Sequence, residues 1–144
     1  MAGTKIRLRI VSPSRKLFDE DVDMLIVRTT EGDMGILPGH QTLTAILSYG
    51  RLKIVRGEET LVAAVLGGFV EVQPDSVTLL SDAAEWPDEI DVNRAEAAKE
   101  RAERRLRQQS IDVDVQRASL ALRRALVRME VSSYPLIHAA SKIK

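Results

Sequence analysis

The chain has no cysteine among its 144 residues. That excludes disulfides, thiol catalysis and cysteine-ligated metal, and it is compatible with a reducing cytoplasm. Aromatic residues are only 3% of the chain, so little is available to stack on bases, which argues against a single-strand nucleic-acid binder. The two histidines, His40 and His138, stand far apart without clustered partners, a poor basis for a metal site. The longest apolar run, Leu61 to Val70, is about half of a membrane span. The opening MAGTKIRLRI lacks the apolar core of a signal peptide, so any membrane association is expected through a partner. The formal net charge is zero, and no global field recruits an anion.

What is present is 44% hydrophobic and 29% charged, enough to bury a core and stay soluble. The zero net charge hides a division: residues 1–84 carry 9 Lys/Arg against 11 Asp/Glu, and residues 85–144 carry 12 against 10. The two parts also differ in period. In the first, Ile6, Leu8 and Ile10 alternate with Lys5, Arg7 and Arg9, the pattern of a half-buried strand. Further β-rich stretches run over 22–29, 42–49, 52–55, 61–66, 69–72 and 77–81, separated by turn signals such as Pro38-Gly39, Gly67-Gly68 and Pro74-Asp75. Short strands at this spacing predict an all-β sandwich or barrel.

Pro87 lies in the polar run 82–89, which reads as a linker, and Asp91 is a good helix N-cap. Residues 93–109 are almost all strong helix formers, with Glu100–Arg104 and Glu103–Arg107 spaced for ion pairs. Residues 110–114 break the pattern and offer caps for a second helix over about 115–131, which Pro135 ends. Val115, Ala118, Leu122, Ala125 and Met129 make a heptad-type seam, against which the first helix offers Ala95, Ala98, Ala102 and Leu106. The short connection predicts an antiparallel hairpin, and an alanine seam buries little, so the hairpin is expected to be marginal and able to open or dock elsewhere.

Catalytic constellations are missing. There is no phosphate-binding G-x-x-x-x-G-K-[ST], no G-x-S-x-G and no H-E-x-x-H. Gly67-Gly68 between strands is the mark of a tight turn rather than a phosphate cradle, and Glu58-Glu59 beside Gly57 reads as a hairpin tip. Enzymatic activity of the chain's own is therefore not expected.

Arginines are the unusual feature. Arg94, Arg101 and Arg105 share one helical face at i, i+7, i+11, and Arg117, Arg124 and Arg128 repeat the spacing. Arginines on a helix usually belong to a solvated face laced by ion pairs. Here Arg101, Arg105, Arg124 and Arg128 have no acidic residue three or four positions away, and Arg101–Arg105 and Arg124–Arg128 are like-charge pairs. Such faces suit an external anion, because the planar guanidinium binds phosphate and carboxylate bidentately. A nucleotide phosphate and an acidic protein surface both satisfy the pattern.

The other unusual segment is the loop 31–40, where glycines and Pro38 bend the backbone and Met34, Ile36 and Leu37 are apolar. It is either an ordinary loop tucked into the core or an apolar contact patch with a polar rim.

The loop sequence Gly32-Asp33-Met34-Gly35-Ile36-Leu37-Pro38-Gly39-His40 resembles the G-[DE]-x-G-I-L-P-G-H stretch of bacterial F-type ATP synthase epsilon subunits. The early strand 6–13 and the stretch Gly67-Gly68-Phe69-Val70-Glu71-Val72 are similar to the same family, and the likeness covers nearly the whole chain. The resemblance implies a ten-stranded β-sandwich over residues 1–84 and a linker with a helical regulatory hairpin over 85–144. It implies a non-catalytic rotor subunit in the central stalk, peripheral on the cytoplasmic face of the cell membrane. The sandwich would bind the gamma subunit and sit on the c-ring, with Asp33 and His40 at the c-ring contact beside Met34, Ile36 and Leu37. The helices would extend toward the alpha and beta catalytic subunits and inhibit ATP hydrolysis. A narrower resemblance, to epsilon subunits of some bacilli that bind ATP, rests on Ile90-Asp91-Val92-Asn93-Arg94-Ala95, which matches [IL]-D-x-x-R-A. It implies a regulatory ATP site of Glu85, Ile90, Asp91, Arg94, Ala95, Arg101, Arg124 and Arg128, and no required cofactor. Two competing readings are a stand-alone small-ligand-binding β-barrel with a helical lid, and an adaptor that binds through helices 91–131 alone.

Overall fold

A computed structural model of the chain describes residues 4–108 and 114–134. The helix break at 110–113, Pro135 and His138 lie outside the described residues. Ten strands form two five-stranded sheets. The strands are β1 (Ile6–Val11), β2 (Lys16–Val22), β3 (Met24–Thr29), β4 (Gly32–Ile36), β5 (Leu43–Ile46), β6 (Tyr49–Arg56), β7 (Glu59–Leu66), β8 (Phe69–Val72), β9 (Ser76–Leu80) and β10 (Ala84–Glu85). One sheet has the order β2-β1-β9-β8-β5 and the other β10-β7-β6-β3-β4. Every pairing is antiparallel except β1 with β9. A 3-10 turn (Pro87–Glu89) leads to α1 (Val92–Arg107) and α2 (Val115–Ser132).

The period-2 pattern of β1 sends Ile6, Leu8 and Ile10 into the space between the sheets, where Phe18, Leu25, Ile54 and Leu79 meet them fully buried. Burial of each such side chain contributes about 1.5–3 kcal/mol. The sandwich is closed by a residue from beyond it: Trp86, 4% exposed, packs edge-on against Phe18 with ring centroids 6.0 Å apart.

Three strands escaped the residue pattern: β2, β4 and β10, the last inside the run 82–89 that reads as a linker. β2 carries Asp19, Glu20 and Asp21, yet these outward groups are paired across strands: Arg7 Nε donates to Asp19 at 2.8 Å and Arg56 to Glu20 at 2.7 Å. The bent loop 31–40 is half strand, because 32–36 pairs with β3 as β4, and only 37–42 is irregular. The stretches read as single strands over 22–29 and 42–49 are each divided. Val22 ends β2 and Met24 begins β3, with the Asp23 carboxylate accepting from Gly57 N at 2.6 Å; Ile46 ends β5 and Tyr49 begins β6.

The pair Gly67-Gly68 is a turn. Gly68 has φ +105, and a Cβ there would lie 2.0 Å from the Leu80 carbonyl oxygen, so backbone fills the space that a ligand would need.

The apolar run through β7 is unbroken because both its faces are covered. Ala63 and Val65 face the main core, while Val62, Ala64 and Leu66 meet Ile90, Val127 and Val131 in a second cluster. α2 is thus docked on the sandwich. Its expected seam is corrected accordingly. Val115 is 60% exposed, Ala118 and Ala125 are buried beside α1, and a second face with Val127 and Val131 is spent on β7. Three arginines fasten it, one of them Arg128 through Glu85 of β10. Arg123 donates to Ser48 Oγ at 2.7 Å and lies over the Tyr49 ring; Arg51 donates to Glu130 at 3.0 Å and to the Tyr134 hydroxyl at 2.7 Å. Ile90 at the entry to α1 touches the end of α2, which makes the helices antiparallel. The expected pairs Glu100–Arg104 and Glu103–Arg107 do not form among the described residues; Lys99–Glu103 at 3.9 Å does.

Candidate functional site

The arginine faces of α1 and α2 look into one cleft of about 480 Å³, lined also by the linker. That volume is in the range of small-molecule sites. The alanine seam explains why it is open: Ala95, Ala98 and Ala102 of α1 and Ala118, Ala121 and Ala125 of α2 line it with methyl groups only. Spacing of i to i+11 stretches each arginine row over about 16 Å of helix. All eight residues expected at the nucleotide line the cleft: Glu85, Ile90, Asp91, Arg94, Ala95, Arg101, Arg124 and Arg128.

Local structure fixes the entrance. Asp91 caps α1, with Arg94 N donating to its Oδ1 at 3.0 Å, and Asp114 caps α2 in the same way. Glu85 is held on β10, whose partner is β7. Its carboxylate takes Arg128 Nε at 2.7 Å and Nη2 at 3.4 Å, so Arg128, unpaired along its own helix, finds its partner across the cleft. Glu89 is turned to Arg15, whose two terminal nitrogens donate to it at 2.6 and 2.7 Å. Glu89 holds the Arg15 guanidinium above its ordinary value, against a smaller opposing effect of burial. Arg94, Arg101, Arg105, Arg117 and Arg124 have no side-chain hydrogen bond or ion pair among the described residues. Five guanidinium groups without side-chain partners among the described residues face one cleft, an arrangement suited to an anion.

Arg105 and Arg117 also line the cleft; the i, i+7, i+11 repeat placed both on the arginine faces, and the resemblance left them out of the nucleotide site. Arg15, 74 residues from Glu89 in sequence, left no signal at all.

The second candidate surface is less uniform than expected. Asp33 is exposed and accepts from Arg28 Nε at 3.0 Å, which holds its carboxyl below the usual value. Leu37 is 56% exposed, and His40 stands beyond Gly39, its Nδ1 2.8 Å from the Gln41 carbonyl. Met34 is half-buried against the main core. Ile36 does not belong to an outer patch: it is fully buried, because β4 alternates and turns this side chain inward. Of the expected contact group, Asp33 and Leu37 are exposed, and His40, like Met34, is half-buried. Among the described residues no cluster of acids and histidines could hold a metal.

Two family models match the chain. Residues 5–87 match the ATP synthase delta/epsilon chain β-sandwich domain, and residues 88–133 the long α-helix domain of the same chain. The ATP synthase epsilon chain of Halalkalibacterium halodurans is 48% identical over 128 residues, which covers 88% of this chain and 96% of that relative. The epsilon chain of Alkalihalophilus pseudofirmus is 53% identical over the same length, with the same coverage. Among solved structures, a chain of the Euglena gracilis mitochondrial ATP synthase superposes with a TM-score of 0.79 at 26% identity, over 92% of this chain and 83% of that one.

Proposed function

This chain belongs to the family of ATP synthase epsilon chains, and we propose that its folded helical pair is a regulatory ATP site that holds the subunit in a closed, non-inhibitory form. The observation that carries the proposal is the cleft, where five arginines without side-chain partners meet the motif residues Ile90, Asp91, Arg94 and Ala95. Two basic faces drawn together without an anion repel each other, and a phosphate chain removes that cost. Each charge-assisted hydrogen bond contributes about 1.5–3 kcal/mol net. Moving a two-state hairpin from mostly open to mostly closed takes about 5.5 kcal/mol of differential binding. Two or three such bonds, made only in the closed form, are enough. Arg94, Arg101 and Arg124 would take the phosphates; Glu85 and Asp91 would meet polar groups or orient arginines; Ile90 and Ala95 would line the base or sugar.

In the same proposal the sandwich docks on the gamma subunit and the c-ring, through a surface that includes Asp33, Leu37 and His40. The subunit has no active site of its own. It sits peripherally at the cytoplasmic face of the bacterial membrane, held by its partners; no described helix is long and apolar enough to cross one. At low ATP, α1 and α2 leave the sandwich and turn their arginines to acidic surfaces of the catalytic alpha and beta subunits, which inhibits hydrolysis. A stand-alone ligand barrel fits less well, because side chains such as Phe18, Leu25 and Ile54 fill the sandwich interior.

Calorimetry on the full chain tests the site. Millimolar or tighter ATP binding that disappears in Arg101→Ala and in Arg124→Ala supports it. Absent binding, or binding indifferent to both substitutions, leaves the arginines to the protein contact alone.

A further inference from the structure

Arg28 occupies an unusual position between the two candidate surfaces. On one side it pairs across the β3–β4 ladder with Asp33, Nε to Oδ1 at 3.0 Å. On the other, its stem crosses Gly50 of β6, the neighbour of Arg51, whose guanidinium donates to Glu130 of α2 at 3.0 Å. Glu130 also raises the Arg28 guanidinium above its ordinary value, a smaller effect than that of Asp33. Two hydrogen-bonded pairs, Asp33–Arg28 and Arg51–Glu130, stand side by side as a chain of charges from the β3–β4 hairpin to the docked end of α2.

The path of Arg28 depends on a glycine. Gly50 has an ordinary backbone conformation, so no turn requires it. A Cβ at Gly50 would lie 2.6 Å from Arg28 Cδ and 2.9 Å from its Cβ. The missing side chain is what lets the stem of Arg28 lie across β6.

We infer that Arg28 is a positioning residue that couples occupation of Asp33 to the docking of α2. When a cationic side chain of a protein partner engages Asp33, Arg28 is freed from it and repelled toward Glu130. The added attraction holds α2 on the sandwich. Seating the β3–β4 hairpin and keeping the helices folded down then favour each other, as linkage requires of any two events that bias one equilibrium. Asp33 as a partner contact rests on the proposed function; the charge chain does not, and the test uses the isolated full chain.

Asp33→Asn removes the carboxylate charge that now holds Arg28. Hydrogen exchange of the α2 amides over 123–131 is then measured at fixed pH and low salt. Protection is expected to rise roughly twofold to fivefold, the range carried by an exposed ion pair. The rise should vanish when Asp33→Asn is made in Glu130→Gln, which removes the receiving charge, and in Gly50→Ala, which displaces Arg28. Unchanged or lower protection in Asp33→Asn overturns the inference. So does a rise of the same size in the Glu130→Gln background. Failure of sandwich docking in the assembled complex, with the exchange result intact, would remove the partner contact and leave the coupling.

Discussion

Trp86 stands outside the strands, yet its removal should cost the sandwich more than most substitutions within them. Its ring is 4% exposed, lies in the main core and meets Phe18 edge-on at 6.0 Å. Three further contacts fasten the segment around it. Ala84 and Glu85 pair with Val65 and Ala64, Arg15 grips Glu89 with two nitrogens and the Ala84 carbonyl with one, and Glu89 accepts from Trp86 N at 2.9 Å. Truncating a buried Trp to Ala costs about 3–5 kcal/mol. With a urea m-value of about 2 kcal/mol/M, Trp86→Ala should lower the unfolding midpoint by about 2 M, followed by circular dichroism because no other Trp is present. The same reasoning orders two truncations. A chain ending at Ala84 lacks the indole, the Glu85 pairing and the Glu89 clamp, and should be less stable than one ending at Glu89 by at least that amount. The boundary read at residue 84 cuts through β10, so we propose residues 4–89 as the independent unit. A loss below about 1 kcal/mol in Trp86→Ala, or equal stability of the two truncations, would refute the reasoning.

Gly68→Ala should destabilise by about 3 kcal/mol or more, since backbone blocks its Cβ at 2.0 Å, whereas Gly32→Ala, with φ +117 but open space, should cost about 1 kcal/mol; thermal melts compare them. Asp33, held down chiefly by the hydrogen bond from Arg28, and Asp23, held down chiefly by Lys5, should titrate below 3.8 in carboxyl NMR. Because the folded value is depressed, each contribution to stability is complete above 3.8 and is lost as pH falls through the folded value; midpoints at or above 3.8 contradict this. Replacing Asp33 and His40 together by Ala should weaken docking to the c-ring without unfolding the sandwich, measured by retention of the subunit on purified complex and by circular dichroism of the isolated chain.

Much of this was legible in the residues. The alternation in β1, the caps at Asp91 and Asp114 and the arginine repeat each rest on local chemistry that survives folding. What was hidden depends on partners distant in sequence. β2 was absent from the β-rich stretches; its acids sit in a strand because Arg7 and Arg56, distant in sequence, pair with them. Val127 and Val131 lie off the heptad seam, and only the covered outer face of β7 gives them a place. For Ile36 the residues left a buried and an exposed place open, and only the alternation of β4 turns it inward. The cleft itself was half visible: the sequence marks which arginines share a face, but only the antiparallel packing puts the two faces opposite each other across alanine.

The most direct measurement is arginine side-chain NMR on the full chain during addition of ATP. The account predicts that the Nε–H signals of Arg94, Arg101 and Arg124 shift and sharpen together, while Arg7 and Arg56, engaged in the sandwich, stay unmoved. Unchanged signals from all three cleft arginines at millimolar ATP, or shifts spread evenly over arginines outside the cleft, would contradict it.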